Sequence, residues 1–121
     1  MKVRCIKLLD SKGNPEKASP WLTLGNVYHV MTVIFGTQEK WLLRLVGDGR
    51  NGLALFPLEQ FEVVSSKIPA GWVITWNSKG VFELSTEQWN QPGFWERYYD
   101  RDPEAVRIFE DGRRKIIEAD P

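Results

Sequence analysis

One cysteine, Cys5, and one histidine, His29, are all the thiol and imidazole chemistry available in 121 residues. A disulfide framework is excluded, and a Cys/His zinc site would need a partner chain. Ser-His-Asp and Cys-His arrangements have a single ring to draw on. It lies inside the apolar run Val27-Tyr28-His29-Val30-Met31, where it reads as a strand histidine. No apolar run approaches the ~20 residues that cross a bilayer, and the opening Met1-Lys2-Val3-Arg4-Cys5 reads as a strand rather than a secretory leader. The expectation is a cytoplasmic protein with no membrane partner. Surplus charge is missing too: sixteen Lys and Arg balance sixteen Asp and Glu, whereas proteins that neutralise phosphates carry a basic excess or a basic face. Nucleic acid is therefore not the expected partner. Up to Ser65 there are eight basic and six acidic residues, and beyond it eight basic and ten acidic. This mild asymmetry tilts the C-terminal part toward a basic partner.

Phosphate-cradling motifs are absent as well. Gly47-x-Gly49-x-x-Gly52 matches a dinucleotide fingerprint in letters only, because it precedes a short strand rather than a helix and reads as a hairpin turn. The acids Glu96, Asp100, Asp102 and Glu104 interleave with Arg97, Arg101 and Arg107, which points to surface ion pairs and not to the paired carboxylates of glycoside hydrolysis. No catalytic residue, cofactor or metal site is nominated, and an enzyme is not expected.

What the chain does have is rings: six Trp, six Phe and three Tyr, of which Trp89, Phe94, Trp95, Tyr98 and Tyr99 fall within eleven residues. Trp and Tyr anchor interfaces as well as cores. The candidate partner-binding residues are Trp89, Trp95, Glu96, Tyr98, Tyr99, Asp100 and Asp102, aromatic anchors with an acidic rim.

β-Branched and aromatic patterning predicts strands over 2–9, 27–34, 40–46, 53–56 and 61–64, with turns at Gly36-Thr37-Gln38 and across Gly47–Gly52. Five short strands joined by hairpins suggest a small closed barrel, which removes exposed edges. From Ile68 on, strands at 72–76 and 81–84 form a hairpin that extends the barrel sheet or covers one of its openings. Ser85 is placed to cap a short helix through Trp89, Pro92-Gly93 breaks it, and Phe94–Tyr99 makes another turn or two. Asp102-Pro103-Glu104 starts a helix over 103–118. Ala105, Ile108, Phe109, Gly112 and Ile116 share its packed face, and Arg113-Arg114-Lys115 falls in its last turns, where cations suit the dipole. The fold class expected is α+β, mostly β: one domain over 1–121, with a five-stranded barrel (1–65) followed by a hairpin and helical appendage (66–121).

Trp41-Leu42-Leu43-Arg44, the Gly-rich hairpin, Gly52, Phe56-Pro57, Phe61 and Val63 resemble the second half of an SH3 domain, and Leu22-Thr23-Leu24-Gly25 before Val27-Tyr28-His29-Val30 resembles the turn into its second strand. Departures matter for function. Lys40 stands where peptide-binding members carry a stacking tryptophan, Phe61 replaces a tyrosine, the first-strand Tyr-x-Tyr is absent, and the long loop carries Lys12 and Lys17 against Glu16. The resemblance thus implies an SH3-like barrel without its proline-peptide ligand. A short chain with such a barrel and an acid-and-aromatic tail resembles, in overall type, the immunity proteins of contact-dependent and other polymorphic toxin systems. That resemblance implies a non-enzymatic protein that neutralises a cognate toxin by direct binding, the partner being a basic, nuclease-like domain. The alternative is a nucleic-acid-associated SH3-like accessory protein. It would use Lys2, Arg4, Lys7, Lys12, Lys17, Lys40 and Arg44, with Trp41 or Trp21 as a stacking ring.

Overall fold

The computed structural model describes residues 1–49 and 52–121. Seven antiparallel strands and two C-terminal helices follow in chain order: β1 (Lys2–Cys5), β2 (Val27–Thr37), β3 (Lys40–Val46), β4 (Leu53–Pro57), β5 (Phe61–Ser65), β6 (Trp72–Trp76), β7 (Phe82–Thr86), α1 (Phe94–Tyr99) and α2 (Pro103–Ala119). A 3-10 turn, Leu58–Gln60, joins β4 to β5. The class is α+β, mostly β. None of the described helices is long and apolar enough to cross a membrane.

β2 organises everything else. Its run of β-branched and aromatic residues extends to eleven positions, longer than any neighbour, so several strands share it. β3 pairs along one edge, and the other edge is divided between β1 at Val27–His29 and β7 at Val33–Phe35. The order is β4-β3-β2-β1-β5, with the β6–β7 hairpin joined to β2. The expected closed barrel does not form. β4 and β5 stand at opposite ends of the order and are not paired among the described residues. Pro57 lacks the N–H to continue a ladder, and the chain turns through Leu58–Gln60 instead.

Several local expectations yield to pairing. β1 stops at Cys5 because the amides of Ile6 and Lys7 both turn to the Gln60 carbonyl and that of Leu9 to the buried Gln60 side chain. The β2–β3 turn is made by Gln38 and Glu39, both with positive φ, the left-handed pair of a two-residue hairpin, rather than by Gly36-Thr37-Gln38. Ser85 caps no helix: it is buried in β7, its hydroxyl donating to Asn90 Oδ1, and Thr86 Oγ1 accepts from the Trp89 amide in a turn. Arg50 and Asn51, at the centre of the expected Gly-rich turn, lie outside the described residues.

Two cores flank β2-β3-β4. A bulge at Met31 divides the sides: Val30, Leu43, Leu45 and Phe56 pack with β1, β5 and Leu22, while Met31 and Leu53 pack with Trp89, Phe94, Phe109 and Ile116. α2 starts at Asp102, whose carboxylate accepts from the Ala105 amide. It runs to Ala119, so Arg113-Arg114-Lys115 is not in its last turn; Arg113 pairs with Glu110, and Arg114 with Asp111 and Glu118. The cation at its C-terminal end is Lys67, bonded to the Ala119 carbonyl at 2.8 Å.

Candidate functional site

The tail aromatics build the second core more than a surface. Trp89 is 1% exposed, its ring centred 5.2 Å from Phe109 and 5.8 Å from Trp95, so it presents nothing to a partner. Phe94 is buried, and Trp95 and Tyr98 are half-buried in the same stack. Burial pushes the Tyr98 phenol up. Asp102 is engaged by Arg97 at 2.7 Å and by its capping bond. Glu96, Tyr99 and Asp100 remain at the surface. Tyr99 is 49% exposed, though its hydroxyl donates to the Leu53 carbonyl at 3.0 Å. The helices must cover the back of β2-β3-β4, and the rings are what fills that gap.

Among the described residues, Arg44 is the one charged residue that is buried, and it lies beneath this layer. Its guanidinium lies 4.0 Å from the centre of the Trp95 ring, and Nη1 donates to Glu83 Oε1 at 3.1 Å and Thr32 Oγ1 at 3.4 Å. Burial draws its pKa down, and Glu83 and the Tyr99 hydroxyl push it back up. Nε has no partner. As a structural strut between β3, β7 and α1, Arg44 is unavailable to a phosphate. Lys2 and Arg4 are also engaged, with Asp120 and Glu62, which thins the basic set considered for nucleic acid. Trp21 and Trp41 are both about half exposed.

His29 lies in β2, and its Nε2–H donates to the Asp120 carbonyl at 2.7 Å, tying the end of α2 to the sheet. Cys5 is buried, and desolvation pushes its thiol pKa up, the opposite of an activated nucleophile. Among the described residues no group of three His, Cys, Asp or Glu side chains could hold a metal.

A cluster of exposed apolar side chains lies elsewhere. Register places Val33 and Phe35 of β2, Trp41 of β3, Phe82 and Leu84 of β7, and Ile74 and Trp76 of β6 on one side of the sheet. Phe35 and Trp41 stack with centres 4.5 Å apart, and Trp76 and Phe82 lie 6.4 Å apart. Val33, Phe35, Trp41, Ile74, Phe82 and Leu84 line an apolar cleft of about 210 Å³. Ile74 is 60% and Trp76 71% exposed. The cause is geometric: β1 and β5 cover this side only along the first half of β2, and no described element covers it where β7 takes over. Gly36 lets the two hairpin tips meet, since a Cβ there would stand 2.5 Å from the Gly80 carbonyl oxygen. From sequence these residues read as ordinary strand positions, apart from Trp41, which reads as a stacking ring for nucleic acid. The available signal was the alternation Trp72, Ile74, Trp76 opposite Phe82 and Leu84, an apolar side on a hairpin with no third layer to bury it.

A second cleft, about 500 Å³, separates the long β1–β2 loop from β4, with Asp10, Glu16, Trp21, Leu55 and Pro57 in its walls. Asp48 braces its far end, accepting from Thr23 Oγ1 at 2.6 Å and from the Tyr28 hydroxyl at 3.0 Å. Compared with protein-family models, curated proteins and solved structures, the chain matches none.

Proposed function

We propose that this chain is a non-enzymatic protein-binding module, that its first five strands are an opened SH3-like core, and that its partner is a cognate bacterial toxin that it neutralises as an immunity protein. One observation carries the binding reading: the contiguous apolar side formed by Phe35, Trp41, Ile74, Trp76 and Phe82. Exposed ring clusters of this kind mark protein–protein contact more often than they mark simple surface, because water contact with so much apolar area is relieved only by a partner. The long loop between β1 and β2 and the 3-10 turn between β4 and β5 support the SH3-like core. Glu96, Tyr99 and Asp100 give the helical side an acidic rim for a basic toxin domain.

Co-expression with the protein encoded beside it tests the reading. A stable complex and protection of the host are expected. Trp76→Ala with Phe82→Ala should weaken the complex at least ~10-fold if the apolar side is the contact, whereas loss only on Glu96→Ala, Tyr99→Ala and Asp100→Ala would move the contact to the helical rim. No complex and no protection would reject the toxin reading.

A further inference from the structure

The sheet has three open edges, and they are not alike. On β4 the strand ends in Pro57, and the Leu53 carbonyl is taken by the Tyr99 hydroxyl. On β5, Glu62 pairs with Arg4, and the Ser65 hydroxyl donates to Asp120 at 2.6 Å. Both edges carry the devices that discourage further strand addition: proline, charge and side-chain cover. β6 carries none. Its sequence Trp72-Val73-Ile74-Thr75-Trp76 has no charge, no proline and no glycine; its one strand partner among the described residues is β7, and at its start the Trp72 amide bonds the Pro69 carbonyl at 3.4 Å. Beside the free edge, exposed Ile74 and Trp76 stand on one side of the sheet, and exposed Val73 with the uncharged, half-buried Thr75 on the other.

We propose that β6 pairs antiparallel with β6 of a second copy, forming a homodimer with one continuous sheet. This goes beyond the binding reading above and does not depend on a toxin partner. The strand is complementary to itself. A two-fold axis through Ile74 sets Ile74 against Ile74 of the second copy, Trp72 against Trp76, and Val73 against Thr75, so apolar meets apolar and no like charges face each other. The zero net charge of the chain adds no long-range repulsion. The exposed parts of Val73, Ile74 and Trp76 together with the backbone edge fall short of the ~800 Å² per partner of a standard interface. The dimer is therefore weak and concentration-dependent. Because the axis is perpendicular to the sheet, the two Phe35–Trp41–Phe82 clefts face the same way, giving a doubled apolar surface.

Sedimentation velocity from about 1 to 300 µM should show conversion from monomer to dimer. Ile74→Lys brings two cations together on the axis, and Thr75→Lys charges the opposite side of the sheet; each should raise the Kd at least ~10-fold while circular dichroism stays unchanged. Ile74→Cys should give an intermolecular disulfide on mild oxidation, because residues opposed across an antiparallel pair stand ~4.5–5.5 Å apart at Cα. Buried Cys5 does not compete, and Ser78→Cys at the hairpin tip should not crosslink. A wild-type chain that stays monomeric at the highest concentration overturns the proposal, as does a dimer that both lysine variants leave intact or one that crosslinks equally through Ser78→Cys.

Discussion

Replacing Gly112 by alanine separates helix propensity from packing. Gly112 lies inside α2, where alanine is worth roughly 1 kcal/mol over glycine in an exposed helix interior. Propensity alone therefore predicts stabilisation. The structure predicts the reverse. A Cβ at Gly112 would meet the Trp89 ring at 2.5 Å (Cζ2), 3.0 Å (Cε2) and 3.3 Å (Cη2). That ring cannot step aside, being sealed against Phe109 and Trp95. Overpacking of this kind costs about 1–3 kcal/mol, so the net change is a loss of about 1 kcal/mol, or ~3–6 °C in Tm for a chain of this length. Urea unfolding followed by circular dichroism and tryptophan fluorescence reads it, with the m-value held constant as the check that only stability has moved. A double-mutant cycle with Trp89→Leu sharpens the test. Trp89→Leu alone costs about 3 kcal/mol, and in its background Gly112→Ala should become neutral or stabilising. A single variant more stable than the parent would refute the account of Trp89 as a fixed wedge against the α2 backbone.

Glu83→Ala strips the counter-charge from Arg44 beneath Trp95 and should cost about 2 kcal/mol in urea unfolding, reduced from the fully buried case because Glu83 is partly exposed; Arg44→Met should cost less. The Cys5 thiol should be silent to a thiol reagent at pH 8 and react fully once urea unfolds the chain, since burial both shields it and holds it protonated. Asp102, through Arg97 and then the Ala105 amide, and Asp120, through the Ser65 hydroxyl, are held below the usual carboxylate range. Folded values below the unfolded ones mean that their stabilisation is full above the ordinary carboxylate pKa, near ~4, and lost as pH falls through the depressed values. Asp102→Asn and Asp120→Asn should each flatten the acid limb of the stability profile, and an unchanged limb would contradict those partners. Asp102→Ala should also lower the midpoint of thermal unfolding at pH 7, as a lost helix cap.

Elements whose causes are local were legible in the sequence alone. Strands at Lys40–Val46 and Trp72–Trp76, the helix at Phe94–Tyr99 and the start of α2 at Asp102-Pro103 appear where β-branched patterning, the Pro92-Gly93 break and the cap-proline pair put them. The α+β class and the Asn77-Ser78-Lys79-Gly80 turn are legible in the same way, whereas the β2–β3 turn moves from Gly36-Thr37-Gln38 to Gln38-Glu39. Tertiary structure alone decided which side of each strand meets water. β2 is shared by three neighbours, so its periodicity carries no single inside and outside, and Ser85 follows β7 rather than its capping propensity because the ladder with Val73 of β6 and burial outweigh one side-chain bond. The same competition sealed Trp89 against α2, drew Arg44 under Trp95, left the five strands open instead of closed, and exposed Phe35, Trp41, Ile74, Trp76 and Phe82. Local sequence can specify a strand, but the layer that covers it comes from residues far away along the chain, and where no layer arrives the apolar side is left in contact with water.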